Sequence, residues 1–307
     1  MKTTEVLETI DPVGRARLAR RSFLGHAGML GIGAAAGLTM VAYPAHAESD
    51  SQMEAAQESE QSQDTVKEIF TAALIAEDLA SVFYFNGLVG SVIQDPNLAG
   101  PGGSATDVTS GGNFGNVDYL RAALTEEIAH ANLFRSLLGI SSPAGDPVQT
   151  FYFPAGAFDT LGAFTGLLDA LENAFIGAYL NAIQEFSVKS VHARQARGGA
   201  TASSSRNDPQ YTAEQLDYFA KVAASIMGVE AEHRVLGRVI SNTNPANNLI
   251  YEQTDGLNAV YNGPHSAVAA LTPFLSPKTG PGYSLATTLA NQSGVAATNV
   301  TGNPPAF

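Results

Sequence analysis

The sequence contains no cysteine among its 307 residues, and only 15% of its residues are charged. Without cysteine the chain can form neither disulfides nor thiolate or iron–sulfur centres, so carboxylate and imidazole groups must hold any metal that it binds. Basic residues are scarce as well, since 16 Lys and Arg stand against 29 Asp and Glu and give a formal net charge of −13. This acidic balance argues against nucleic acid as a partner. The apolar fraction, by contrast, is 45%, which is enough to bury the core of one main domain.

The first 47 residues have the pattern of an export signal. Twin arginines in residues 19–25 precede an apolar run that ends in the small-x-small pattern of residues 45–47. The pattern predicts a twin-arginine signal peptide over residues 1–47, passage through the twin-arginine translocase, cleavage after Ala47 and a periplasmic or secreted protein. An ordinary secretory signal and a single membrane anchor are the alternatives. Residues 48–63 are rich in Glu, Gln and Ser, which predicts an acidic, solvated linker.

Two Glu-x-x-His pairs are the most informative motif of the chain: Glu127 with His130, and Glu230 with His233. A spacing of three residues places both side chains of a pair on one face of a helix. Each pair lies in a helical pattern of apolar residues, so we expect both faces to point into the interior.

A single glutamate precedes each pair in an apolar helical segment. Glu77 lies 50 residues before Glu127, and Glu172 lies 58 residues before Glu230. A buried carboxylate is costly unless it is paired, protonated or bound to metal. The order Glu, Glu-x-x-His, Glu, Glu-x-x-His is the ligand order of di-metal carboxylate four-helix bundles, which predicts that the six side chains converge on metal.

Neighbouring acids leave the register of the motif open. Glu126 and Glu232 each lie close enough to a motif histidine to replace the adjacent glutamate as a ligand. Only the three-residue spacing is met in both halves of the chain, which favours Glu127 and Glu230.

Other polar side chains near the motif have simpler predicted roles. Asp78 and Asp169 are expected on the solvated flanks of their helices. His192 is expected at the surface, or beside the C-terminal end of its helix. Tyr84 and Tyr179 each follow a motif glutamate by seven residues, two helical turns on the same face, and are either core aromatics or donors to a ligand carboxylate.

Apolar periodicity and turn signals predict four helices. Their approximate bounds are Asp64 to Ile93, Val117 to Leu138, Asp159 to Arg194 and Thr212 to Ile240, with Asp64 and Thr212 as capping residues. The Pro-interrupted segment between the second and third helices is too long for a hairpin and predicts a crossover along the bundle. Residues 64–241 would form the bundle. Residues 242–307 are rich in Asn, Gly and Pro and predict an irregular C-terminal extension, with one short helical candidate at Ser266 to Leu271.

The four helical segments resemble the ferritin-like domain family that includes the desiccation-related proteins. The resemblance runs through "LIAEDLASVFY", "EEIAHANLFRSLLG", "DALENAFIGAYL" and "GVEAEHRVLG", and it covers Asp64 to Ile240. It implies an all-α, ferritin-like four-helix bundle with a long crossover between its second and third helices, B and C. It also implies that four residues are terminal metal ligands: Glu77, Glu172, His130 and His233. The resemblance further implies that Glu127 and Glu230 are bridging carboxylates. The sequence departs from the family's usual first helix at Ala80 and Val82, where further acids are common, so this helix offers fewer spare ligands.

The expected protein is therefore an exported carrier of two Fe or Mn ions, with iron favoured, whose redox chemistry is of a ferroxidase, oxidase or catalase kind. Its expected partners are metal ions and small oxidants, and a homo-oligomer is compatible with this view. The alternative is a non-enzymatic stress or desiccation-related protein with a structural or vestigial metal site. An iron-storing cage is disfavoured by the long segments outside the predicted helices.

Overall fold

A computed structural model describes residues 64–197, 208, 210–243 and 270–297, and within them the architecture is all-α with one small two-stranded sheet. The predictions for residues 1–63, the signal peptide and the acidic linker, lie outside the described residues. Four long helices form the bundle: α1 Val66–Val89, α2 Phe114–Leu138, α3 Leu161–Arg197 and α4 Ala213–Ile240. Each helix overlaps the segment that the sequence predicted for it.

Local sequence signals set where the helices begin and end. α1 begins with a capping box, in which the Thr65 hydroxyl accepts from the backbone N–H of Glu68, and the Glu68 carboxylate accepts from the backbone N–H of Thr65. The N-cap is therefore Thr65, and the prediction of Asp64 was wrong, because only Thr65 stands three residues before a glutamate. Thr212 opens α4 with a second capping box. α2 ends at Gly139, whose φ of 70° favours glycine.

Two apolar clusters fill the bundle, one toward each end. The N-terminal halves of α1 and α4 contribute Phe70 and Phe219 to one cluster, and the C-terminal halves of α2 and α3 contribute Phe134 and Phe186 to the same cluster. The opposite halves of the four helices form the other cluster. Hence α1 and α4 run in one direction and α2 and α3 in the other, as a long crossover between α2 and α3 requires. The six motif residues lie at the boundary between the clusters.

The described part of the C-terminal segment contains more regular structure than the sequence predicted. Strand β2 (Gly282–Ser284) pairs antiparallel with β1 (Thr150–Tyr152) in the crossover, and a short helix, α5 (Leu285–Asn291), follows. Phe153 of the crossover packs against Tyr283, with ring centroids 5.6 Å apart. Within the predicted helix from Ser266 to Leu271, only residues 270 and 271 are described, and both are helical.

Among the described helices, α1 alone is long and apolar enough to cross a membrane by length and composition. However, 78% of its most apolar window is buried inside the bundle. The core helix of a bundle passes the same test, because it is apolar on every face. The apolar character of α1 is thus accounted for by the core that it fills.

A close contact at Gly87 of α1 gives a testable consequence of this packing. A methyl group added there would overlap the ring of Phe164, which is fully buried and stacks on Phe83 with centroids 4.8 Å apart. We expect Gly87→Ala to lower the free energy of unfolding by about 1 to 3 kcal/mol through overpacking, as measured by urea denaturation. Gly228→Ala in α4 is the matched control, because open space surrounds Gly228 and the change should be neutral or stabilising by up to about 1 kcal/mol. Equal losses in both variants would contradict the packing described.

Candidate metal centre

Six side chains meet in the middle of the bundle, between the two apolar clusters. Every helix contributes one glutamate, and α2 and α4 each add one histidine: Glu77 from α1, Glu127 and His130 from α2, Glu172 from α3, and Glu230 and His233 from α4. The four glutamates are at most 2% exposed, whereas the side chains of His233 and His130 are 4% and 14% exposed. The structure therefore brings together the whole set that the sequence predicted as ligands.

The six side chains form two overlapping groups of four. One group consists of Glu77, Glu127, His130 and Glu230, and the other of Glu127, Glu172, Glu230 and His233. Within each group the ligand atoms lie within 4.8 Å of one another, so each group could hold a metal ion. Glu127 and Glu230 belong to both groups. Shared carboxylates, with one further glutamate and one histidine on each side, are the arrangement of a di-metal carboxylate centre.

Both histidines turn Nδ1 toward the carboxylates. His130 Nδ1 lies 3.2 Å from Glu77 Oε2 and 3.7 Å from Glu230 Oε1. His233 Nδ1 lies 2.9 Å from Glu127 Oε1 and 3.4 Å from Glu230 Oε2. The nitrogens that would bind metal thus face the same space as the shared carboxylates.

Two tyrosines hold the remaining glutamates in a reciprocal arrangement. Tyr84 of α1 donates its hydroxyl to Glu172 Oε1 of α3 over 2.5 Å, and Tyr179 of α3 donates to Glu77 Oε1 of α1. Burial, and then the charge of the contacted glutamate, raises the pKa of both phenols well above its usual value of 10. Both hydroxyls therefore stay protonated and act as donors. The sequence left two roles open for these tyrosines, and the structure combines them, because both rings lie in the apolar clusters and both hydroxyls are donors.

Glu127 and Glu230, rather than Glu126 and Glu232, point into the bundle. The first two are fully buried, whereas the Glu126 side chain is 42% exposed and Glu232 is exposed. Glu126 nevertheless reaches across to α4, where its Oε2 lies 2.8 Å from Nε2 of His233. The hydrogen bond from His233 lowers the pKa of Glu126. Spacing within one helix could not predict this contact, because it joins two helices.

Asp78 was wrongly predicted to be solvent-exposed. It is 1% exposed and pairs over 2.5 Å with Arg135 of α2, which also contacts Asp146 of the crossover at 2.7 Å. Burial raises the pKa of Asp78 to about 8, although the charge of Arg135 opposes the shift. The prediction failed because the middle of α1 is buried on every side and has no solvated flank. Asp169 is partly exposed, as expected, and accepts a hydrogen bond from Arg238.

Burial and crowding govern the protonation of the centre. Burial, followed by the nearest like charge, raises the pKa of three carboxylates: Glu127, Glu172 and Glu230. Burial alone would lower the pKa of His130, but the charges and hydrogen bonds of Glu77 and Glu127 outweigh it and raise this pKa to about 11. The pKa of His233 is also raised well above 6.5, since its hydrogen bond to Glu126 and the nearby carboxylates of Glu127 and Glu230 together outweigh burial. Without a metal ion, the two imidazoles thus retain protons that offset part of the clustered negative charge.

Several buried ligand atoms have no hydrogen-bond partner among the described residues. They are both carboxylate oxygens of Glu127 and of Glu230, Oε2 of Glu172 and Nδ1 of His233. His233 Nδ1 lies close to Glu127, but the angle between them does not suit a hydrogen bond. Buried polar atoms are nearly always satisfied in native proteins, and unsatisfied carboxylate oxygens that face one space are suited to a cation. The residues present therefore fit bound metal.

The ligand order and the helix directions have a counterpart among known domains. Residues 65–203 match the ferritin-like domain family. The matched segment contains α1, α2 and α3, with Glu77, Glu127, His130 and Glu172, and it ends before α4. Searches of curated proteins and of solved structures gave no significant match. The fold is an all-α, ferritin-like bundle, and α4 completes its centre with Glu230 and His233.

Polar contacts tie α4 to the ferritin-like segment beside the centre. Arg234 donates to Asn173 of α3 over 2.9 Å, and Arg238 donates to Asp169 over 2.8 Å. His192, near the end of α3, is partly exposed and lies in neither four-ligand group. The hydrogen bonds of Arg234 and Arg238 to α3 thus hold α4, and with it the ligands Glu230 and His233, in register with α3.

Proposed function

We propose that this chain is an exported ferritin-like protein that binds two Fe or Mn ions and performs redox chemistry with dioxygen or peroxide. The observation that carries the proposal is the pair of four-ligand groups that share Glu127 and Glu230. Each group would hold one ion, and the shared glutamates would bridge the two. Export, a periplasmic or secreted location, and passage through the twin-arginine translocase rest on the pattern of residues 1–47, with cleavage after Ala47.

The donor set favours particular metals. The ligands are carboxylate oxygens and imidazole nitrogens, and the chain has no cysteine to supply sulfur. Four ionised carboxylates balance the charge of two divalent cations, which suits a buried site. Iron and manganese accept such ligands and can change oxidation state, whereas zinc cannot. Iron is favoured over manganese because divalent iron binds nitrogen and oxygen ligands more tightly.

The surrounding residues would set the conditions for the reaction. Iron or manganese bound in this site would supply one-electron chemistry toward dioxygen or peroxide. Tyr84 and Tyr179 orient Glu172 and Glu77 through hydrogen bonds and keep their own protons. The glutamates are almost completely buried, so bulk water and large organic molecules are kept away from them. Such an enclosed centre suits small oxidants and metal ions as its partners.

Metal analysis of the protein exported by its native host tests this proposal. We expect about two equivalents of Fe plus Mn per chain, and consumption of peroxide or dioxygen that depends on them. A His130→Ala/His233→Ala variant prepared in the same way should carry much less metal, because each four-ligand group loses its only nitrogen donor. A content below about half an equivalent in the parent protein would show that the proposal is wrong.

A non-enzymatic stress or desiccation-related protein with a structural metal site is the second candidate. The burial of all four glutamates favours it, since a structural site is closed whereas a catalytic site keeps an open position. Metal would then stabilise the bundle without turnover. A metal-loaded protein that consumes peroxide and dioxygen no faster than the free metal ion would support this second function. A particle of tens of subunits in light scattering would instead support a storage cage.

A further inference from the structure

The two halves of the centre hold their histidines differently. Nε2 of His233, the nitrogen that points away from the shared carboxylates, lies 2.8 Å from Glu126 Oε2. Nε2 of His130 has no hydrogen-bond partner in the part of the chain that the structure describes, and only Nδ1 of that ring meets carboxylates. His233 is therefore hydrogen-bonded through its outer nitrogen, Nε2, whereas His130 is hydrogen-bonded only through Nδ1, the nitrogen that faces the carboxylates.

The sequence explains the difference. An offset of 103 residues relates the two Glu-x-x-His pairs, and from Glu126 the same offset leads to Val229. Valine has no group that could accept a hydrogen bond from an imidazole. α2 thus supplies a carboxylate to the histidine of α4, but α4 supplies none to the histidine of α2.

The packing around the two histidine rings also differs. The ring of His233 lies edge-on against Tyr84, with centroids 5.6 Å apart and an interplanar angle of 67°. Across residues 64–197, 210–243 and 270–297, no aromatic ring makes a comparable contact with His130. The His130 side chain is also more exposed, at 14% against 4% for His233. His233 is fixed in place, and His130 has an edge at the surface.

We propose that Glu126 makes the two metal positions unequal, so that the position with His233 binds its ion first and the position with His130 binds second and exchanges with solvent. A carboxylate on the outer nitrogen of a ligating histidine fixes the ring and keeps the proton on that nitrogen, which leaves the inner nitrogen free to bind metal. Glu126 is a positioning residue, because it touches the ring of His233 and acts through it. This inference rests on the proposed metal binding and adds to it an order of filling.

Titration of the metal-free protein with Mn²⁺ tests the order. Competition with a coloured chelator gives the two affinities, and electron paramagnetic resonance separates an isolated ion from a magnetically coupled pair. We expect the parent protein to bind the first equivalent as an isolated ion and to show the coupled pair only with the second. Glu126→Ala should weaken the tighter step about 10- to 100-fold and leave the weaker step unchanged.

Three further variants make the result specific. Glu232→Ala removes an exposed acid adjacent to His233 in the sequence, with the same change in charge, and should leave both steps unchanged. Val229→Glu should strengthen the weaker step, because it offers His130 the carboxylate that it lacks. His233→Ala should eliminate the tighter step, which assigns that step to its position.

The outcomes separate this inference from the proposed function. Three outcomes would overturn the inference and leave metal binding intact. They are equal affinities of the two steps in the parent protein, equal losses of affinity in Glu126→Ala and Glu232→Ala, and an equal loss of affinity at both steps in Glu126→Ala. A parent protein that binds no Mn²⁺, Fe²⁺ or Co²⁺ would overturn both. Circular dichroism checks the fold of each variant, and the 42% exposure of the Glu126 side chain means that its truncation leaves no cavity in the core.

Discussion

Replacing both shared glutamates, in the double variant Glu127→Gln/Glu230→Gln, is expected to abolish stabilisation by metal without destabilising the metal-free bundle. Each ion that binds only the folded state stabilises it by about 4 kcal/mol when its free concentration is about a thousand times its Kd. Two ions would raise the melting temperature of a domain of this size by more than about 15 °C. The variant should lose the whole increase, because both four-ligand groups contain Glu127 and Glu230.

The metal-free protein should respond differently to the same change. Burial and the charge of Glu127 raise the pKa of Glu230, which shows that the two carboxylates oppose each other's ionisation in the core. Neutral amides of the same size relieve this repulsion. We therefore expect the metal-free variant to melt at the same temperature as the metal-free parent, or above it.

Thermal unfolding of both proteins, with and without Mn²⁺, measures the two effects together. Glu232→Gln is the control, since it makes the same chemical change at an exposed position of α4 and should preserve the full response to metal. A double variant that is as strongly destabilised without metal as with it would indicate a structural polar network, and would favour the non-enzymatic function.

The convergence of the six side chains could be predicted because helical spacing is a local property. A separation of three residues fixes the shared face of Glu127 and His130, whatever the helix packs against. The same holds for Glu230 and His233, which lie outside the segment that matches the ferritin-like domain family. The ligand motif thus identified α4 as part of the centre, although α4 lies outside the segment that matches the family.

What the sequence did not predict depends on contacts between distant segments. Asp78 is buried because Arg135 of α2 and the crossover close over it, and nothing in the pattern of α1 indicates that partner. The pairing of β1 with β2 joins residues more than 100 positions apart in the chain. The contact between Glu126 and His233 joins α2 to α4 in the same way. Periodicity gives the face of each helix, and only the assembled bundle gives the partner across it.

Metal binding is expected to release about two protons per pair of ions at about pH 8, one from each imidazole. Without metal the pKa of His130 is about 11, and that of His233 is well above 6.5. Nδ1 of each ring faces the carboxylates, so in the metal-free protein the proton occupies the place that a cation would take. An imidazole with an unperturbed pKa would be about 97% neutral at this pH and would release almost no proton.

The sign of the pH dependence follows from this competition. A proton on the ligand nitrogen opposes metal binding, so the affinity for each ion should fall about tenfold for each unit by which the pH is lowered. For the position with His130 this dependence should hold at every pH below about 11, rather than end near 6.5. Calorimetric titration with Mn²⁺ at about pH 8, in two buffers of different ionisation enthalpy, counts the protons released, and His130→Ala should lower the count by about one. A count near zero for the parent protein would mean that its imidazoles are already neutral before metal binds, and would show that this prediction is wrong.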